Sequence, residues 1–183
     1  MELLDWEERQ ELRWEFDGFE PVAMTGGTDS HETTGGTLRA LLYDRLRGKL
    51  CRVRGPTLKI EVAGRIRYPD AFVFRTAVPG RTTVIKDPVV VFEVLSPSTS
   101  RIDRIEKLRE YQATPSIERY VILEPDGIAA TVYARRGEDW IVRALIAGDM
   151  LEMPEIDVAI PLSDICADID LAPPQPREAD PLG

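Results

Sequence analysis

The spacing of apolar residues changes several times along the chain, and each change predicts an element. In "LRWEFDGFEPVAM", aromatic-rich arms flank Asp17-Gly18. This predicts a hairpin with a type I′ turn, whose two central residues both need positive φ. Ahead of it, Leu4 to Glu11 reads as a short polar helix docking through Leu4, Trp6 and Leu12. After it, "TGGTDSHETTGG" reads as a connection in which Asp29 or Ser30 caps a helix. Leu38, Leu41, Leu42 and Leu46 recur at helical spacing. Because Gly35 and Gly36 are poor helix formers, regular helix is expected from near Thr37.

Alternation by two then takes over. Leu50–Arg54, Leu58–Val62 and Ile66–Phe74 read as strands punctuated by Gly55-Pro56 and Gly64, and "AVPGRTTVIKD" reads as a loop. Val89–Leu95 is apolar on both faces, the pattern of a strand covered on both sides. Pro97 to Ser100 break it and cap a helix from Arg101 to Ala113, which Pro115 ends. Ile117–Glu124, Ile128–Ala134 and Trp140–Ile146 suggest an antiparallel meander turning at Asp126-Gly127 and Arg136-Gly137. Ile156–Ile160 reads as a further strand and Leu162–Cys166 as a helical turn. The resulting fold class is α+β (mixed α/β), with one central sheet flanked by helices. One domain is expected over residues 1–170, with the N-terminal helix and hairpin in 1–25. A Pro-rich tail at 171–183 lacks apolar periodicity and is expected to be disordered.

Composition narrows the class. The chain has 183 residues, 43% of them hydrophobic and 30% charged, enough for a core without cross-links. Cys51 and Cys166 supply neither a disulfide framework nor a cysteine metal site. No apolar run approaches the length of a membrane span, and "MELLDWEERQ" lacks the regions of a signal peptide, so a cytoplasmic setting without membrane contact is expected. A net charge of −9 argues against a generally basic, nucleic-acid-coating surface. Local basic clusters remain: Arg45, Arg47 and Lys49; Arg52 and Arg54; Arg65 and Arg67; Arg101, Arg104, Lys107 and Arg109.

One residue contradicts the apolar pattern. Glu93 sits inside "VVVFEVL", where an unpaired carboxylate costs several kcal/mol. Two partners are in view: a lysine on the following helix, or a metal shared with another carboxylate. Asp103, Lys107 and Tyr111 are spaced by four and share a helix face that can fold back over the strand's end. Asp70, in "RIRYPDAFVF", stands where a strand begins or bends at Pro69. Two carboxylates with open coordination positions describe a Mg²⁺ site completed by water and phosphate.

The segments "YPD", "VVFEVLSPSTSRIDRIEKLREYQ" and "IERYVILEPD", with the opening "RWEFDGFEPVAM" and His31, resemble the Uma family of restriction-endonuclease-like proteins, a branch of the PD-(D/E)XK nuclease superfamily. The resemblance covers Leu12 to Ile146. It implies a restriction-endonuclease-like central mixed sheet and a Mg²⁺ (or Mn²⁺) site. Asp70 and Glu93 match the two motif acids, and with the Val94 carbonyl they are the implied metal ligands. The superfamily's lysine two residues after the second acid is replaced here by Leu95. Lys107 matches the helix lysine that relatives in this branch carry, and His31 matches a histidine near the first helix. Asp103 is expected to act structurally or behind the site, Tyr111 as a core-edge aromatic more than a catalytic group, and Glu15 and Glu20 as hairpin surface residues, with lining the site the lesser alternative for Glu15. The implied activity is metal-dependent hydrolysis of DNA, with arginines holding the nucleic-acid backbone; apart from the resemblance, a homodimer is expected because two-fold symmetry would give a small acidic nuclease a longer groove. The alternative is a catalytically inactive binding or assembly module of the same fold.

Overall fold

The computed structural model describes residues 6–7, 9–10, 13–24, 26–96, 102–167 and 169, with 102 and 103 described in the backbone alone. The expected Pro97–Ser100 cap, the side chain of Asp103 and the tail lie outside these residues.

Six strands form the central sheet, in the order β11 (Asp139–Ile146), β10 (Ala129–Arg136), β9 (Arg119–Leu123), β8 (Pro88–Val94), β6 (Ala71–Phe74) and β3 (Arg52–Arg54). Only β8 and β9 run parallel; the other pairs are antiparallel. The parallel pair is joined by a π-helix, Ile102–Lys107, that runs directly into helix α2, Leu108–Ala113. The meander β9–β10–β11 is as expected.

The chain does not stop at one sheet. A five-stranded sheet orders β2 (Pro21–Ala23), β1 (Trp14–Phe16), β5 (Arg65–Arg67), β4 (Lys59–Val62) and β7 (Val84–Ile85). The run read as a single strand, Ile66–Phe74, is therefore two strands in different sheets. Pro69 has no N–H for a ladder, so the chain leaves the small sheet at Arg67 and enters the central one at Ala71. This crossing leaves Asp70 at the mouth of β6.

Apolar side chains pack on both faces of β8. Val90, Phe92 and Val94 join one cluster with Leu38, Leu42 and Leu46 of helix α1 (Asp29–Leu46). The same cluster takes in side chains of the pair β12 (Met150–Met153) and β13 (Val158–Pro161) and of the short helix α3 (Leu162–Ile165). Val91 and Leu95 face the opposite cluster, with Ile60 and Val62 of the small sheet and Tyr111 of α2. Glu93 therefore enters a buried layer between sheet and helix, at 4% exposure.

Three local expectations need correction. The β1–β2 hairpin has a four-residue connection, because Phe16 pairs with Pro21. Only Gly18 takes positive φ, at 99°, while the Asp17 side chain accepts the N–H groups of Phe19 and Glu20. Helix α1 begins at Asp29, ahead of Thr37, and Thr28 is its cap, accepting the His31 N–H. Gly35 and Gly36 are carried inside it. At Gly35 a Cβ would stand 3.0 Å from the Arg39 guanidinium, so the missing side chain makes room for that arginine. Finally, β7 and β12 arise where no strand was expected. Cys51 and Cys166 are free thiols, as expected.

Candidate active site

The strand register brings the two motif acids together. Ala71 of β6 pairs with Phe92 of β8, so one residue further Asp70 lies opposite Glu93. Asp70 Oδ2 accepts the Val94 N–H at 2.7 Å, a bond that ties the acid to the end of β8. The Nε2 of His31, from the first turn of α1, lies 3.3 Å from the same oxygen. The hydrogen bond to Asp70 raises the His31 pKa above its ordinary value; burial opposes this, while the charges of Asp70 and Glu32 and a hydrogen bond to the Val94 main chain reinforce it. Behind Asp70, Arg39 Nη1 donates to its main-chain carbonyl at 3.2 Å.

Glu93 receives two donors on one oxygen: Lys107 Nζ at 3.0 Å and the Tyr111 hydroxyl at 2.8 Å. Lys107 and Tyr111 are four residues apart across the start of α2 and present both groups to the strand. Lys107 is 5% exposed, so its amine points into the protein. Tyr111 is fully buried, and burial followed by the Glu93 charge pushes its phenol well above the ordinary value, keeping it a donor. It is thus more than the core-edge aromatic expected. The predicted spacing extended one turn earlier, to Asp103, but that turn is π-helical. The side chain of Asp103 itself lies outside the described residues.

Glu15 takes the lesser of the two places expected for it and lines the site. It does not lie on the outer surface of the hairpin. Its Oε1 accepts the Tyr68 N–H at 3.0 Å and lies 3.6 Å from Lys107 Nζ, while Oε2 lies 3.2 Å from Arg67. Burial pushes its carboxyl up, but Lys107, the Tyr68 N–H and Arg67 together hold it below its ordinary value. Its side chain is accordingly ionised inside the protein. Glu20 is exposed, as expected.

Asp70, Glu93, Val94, Lys107, His31 and Glu15 all border one cavity of about 130 Å³, with Val22, Met24, Gly26 and Gly27 along its rim. The acids bring hard oxygen donors, and Val94 adds a main-chain carbonyl. Among the described residues no three Asp, Glu, His or Cys side chains form a closed metal cage. Such a set fits Mg²⁺, which takes one or two carboxylates and keeps most of its water.

The basic clusters divide. Arg67 is buried in a two-pronged pair with Glu110, at 2.8 and 2.6 Å, and Arg65 lies 3.1 Å from the same carboxylate. Arg67 is thereby withdrawn from the surface expected to hold nucleic acid, while Arg65, though paired, stays partly exposed. Arg104 pairs with Glu124, and Lys49 with Asp157 at 2.8 Å. Arg47, Arg52 and Arg54 stay exposed around the end of α1 and the edge strand β3.

No helix is long and apolar enough to cross a membrane among the described residues. Comparison with known proteins agrees with the architecture. A crystal structure of a "putative nuclease" from Anabaena variabilis ATCC 29413 superposes with a TM-score of 0.70 at 15% identity, covering 86% of this chain and 92% of that one. At that identity the likeness shows the fold. An uncharacterized protein of Synechocystis sp. is 32% identical over 162 residues, covering 86% of this chain and 85% of its own length. The family model described as "Putative restriction endonuclease" matches residues 1–162, and the chain belongs to that family, Uma2.

Proposed function

We propose that the protein is a divalent-metal-dependent endonuclease that hydrolyses DNA phosphodiester bonds at the Asp70–Glu93 cavity. The observation that carries this reading is the meeting of two strand-borne carboxylates in one register, with the Lys107 amine 3.0 Å from the second. Membership of a family described as restriction endonucleases supports the same class of reaction.

Asp70, Glu93 and the Val94 carbonyl would hold Mg²⁺ or Mn²⁺, which supplies polarisation of the phosphate and a water acidic enough to attack at neutral pH. The remaining work falls to the chain itself. Val94 N–H and His31 fix the direction of the Asp70 carboxylate, and Tyr111 fixes that of Glu93. Lys107, steadied between Glu93 and Glu15, orients the attacking water and offsets charge gathering on the phosphoryl oxygens. Arg47, Arg52 and Arg54 provide exposed cations for the polymer's phosphates; such contacts position a strand without specifying its sequence.

The alternative, an inactive assembly module, draws on one observation: Glu93 already has an amine and a phenol as partners, as a structural ion pair would. Plasmid nicking separates the two. The nuclease cleaves DNA with Mg²⁺ or Mn²⁺, stops on chelation, and loses activity in Asp70→Asn and Glu93→Gln. An inert module leaves the plasmid intact with either metal.

A further inference from the structure

Strand β11 closes the central sheet on the side away from β3. It pairs with β10 over its full eight residues, and among the described residues no strand covers its outer edge. Long edge strands invite pairing, and proteins usually blunt them with proline, lysine or a bulge. The sequence "DWIVRALI" has neither proline nor lysine, and its pairing with β10 runs without a register shift. Ile141, Val142 and Ile146 are 40%, 58% and 64% exposed. Asp149 already takes both main-chain groups of Ile146, so the edge left for pairing runs from Asp139 to Ala144.

Its two charges show what it fits. Asp139 and Arg143 lie four residues apart, symmetric about Ile141. Two copies of β11 laid antiparallel, with a two-fold axis normal to the sheet at Ile141, place each Asp139 opposite the partner copy's Arg143. The same register sets each Trp140 opposite the partner copy's Val142. Alternation keeps Asp139, Ile141 and Arg143 on one face and Trp140 and Val142 on the other, so both kinds of pair are side by side in the pleat. A shift of the axis by one residue instead sets Asp139 against Ile141 or against the buried Leu145. The charge pattern therefore selects one partner, one direction and one register.

We infer that β11 is a self-association surface, joining two copies of the chain into one continuous antiparallel sheet with Asp139–Arg143 pairs across the axis. The symmetry is closed, as an isologous dimer requires. The interface is independent of the catalytic reading and stands or falls on its own.

Sedimentation velocity of the full chain from low to high micromolar concentration tests it. A reversible dimer is expected. Asp139→Arg sets arginine against Arg143 twice and should weaken association by roughly tenfold or more. The exchange variant Asp139→Arg with Arg143→Asp restores the pairing and should dimerise like the parent. It also carries the test if the single variant fails to fold. A parent that stays monomeric, a single variant that dimerises unchanged, or a folded exchange variant that fails to recover would overturn the inference. So would a monomer whose β11 outer amides resist hydrogen exchange, since another segment of the chain would then cover the strand.

Discussion

Glu15 Oε1 lies 3.6 Å from Lys107 Nζ, which brings the N-terminal hairpin and the helix after β8 into one pocket. The amine therefore has a carboxylate on either side, Glu15 and Glu93. The pocket is built from four separate stretches of chain, and its chemistry depends on each arriving in register.

Substitutions at Glu93 should separate chemistry from folding. Glu93→Gln keeps the shape and an acceptor for Lys107 and Tyr111, so the chain should fold while metal-dependent DNA cleavage falls by roughly a hundredfold or more. Glu93→Ala removes the acceptor from a buried amine and should cost about 3–5 kcal/mol of stability. Urea denaturation beside a plasmid-nicking assay reads both. A Gln variant that cuts like the parent would remove Glu93 from the reaction.

Tyr111→Phe deletes one hydrogen bond to a buried carboxylate and nothing else of size. A loss of about 1.5–3 kcal/mol in chemical denaturation is expected, the range for hydrogen bonds to charged groups. Cleavage should drop less than in Glu93→Gln, because Lys107 still holds the carboxylate.

Arg39 passes through a gap that two glycines keep open. A Cβ on Gly55 would come within 2.5 Å of Arg39 Cδ and 3.2 Å of the Asp70 carbonyl oxygen. Gly55→Ala should cost roughly 1–3 kcal/mol by overpacking. Combining it with Arg39→Ala should cost less than the two single changes added together, since the clash partner is gone. Additive losses in a double-mutant cycle would place the arginine elsewhere.

The chain's single histidine gives an unobstructed NMR probe. In chelated protein His31 should titrate above the ordinary 6.5 or so. Asp70→Asn should lower that midpoint. The sign follows from the raised pKa: the His31–Asp70 pair adds stability that is fully present below the unfolded value and is lost as pH rises through the folded one. A midpoint below the ordinary value would mean that burial, and not Asp70, dominates.

Acid should act in the opposite sense. Glu15 and Glu7 are both held below their ordinary values against the cost of burial, the latter mainly by hydrogen bonds from Lys59 and Tyr68. Their depressed pKa values add stability that is complete above the unfolded carboxylate range, near 4.3, and disappears as pH falls through the folded values. The thermal midpoint should therefore drop below about pH 4. Glu15→Gln should flatten that slope in a pH series of melting curves.

The acids and the amine were legible because each sits in a short stretch with a local contradiction. Glu93 is a charge in an apolar strand, Asp70 follows a proline that cannot pair, and Lys107 lies one turn before Tyr111. Glu15 was legible only as a lesser alternative. Its neighbours Trp14 and Phe16 describe a hairpin, but the groups that draw it inward, Arg67 and Tyr68, lie more than fifty residues along the chain. The split at Pro69 was misread for a related reason: residues 66–74 alternate well enough for one strand, and only the pairing partners reveal two sheets. Helix α1 started early because Gly35 costs roughly 1 kcal/mol in propensity yet admits Arg39, a tertiary gain invisible to local preference.

Arg67 grips Glu110 on the helix with one side of its guanidinium and Glu15 on the hairpin with another, all of it nearly dry. That grip ties the helix to the hairpin on one side of the site. Gly26 and Gly27 border the cavity beside them and bring no side chains to it. A Cβ at Gly27 would stand 2.8 Å from the His31 ring, so a bulky residue there should push His31 away from Asp70 and disturb the site from its border.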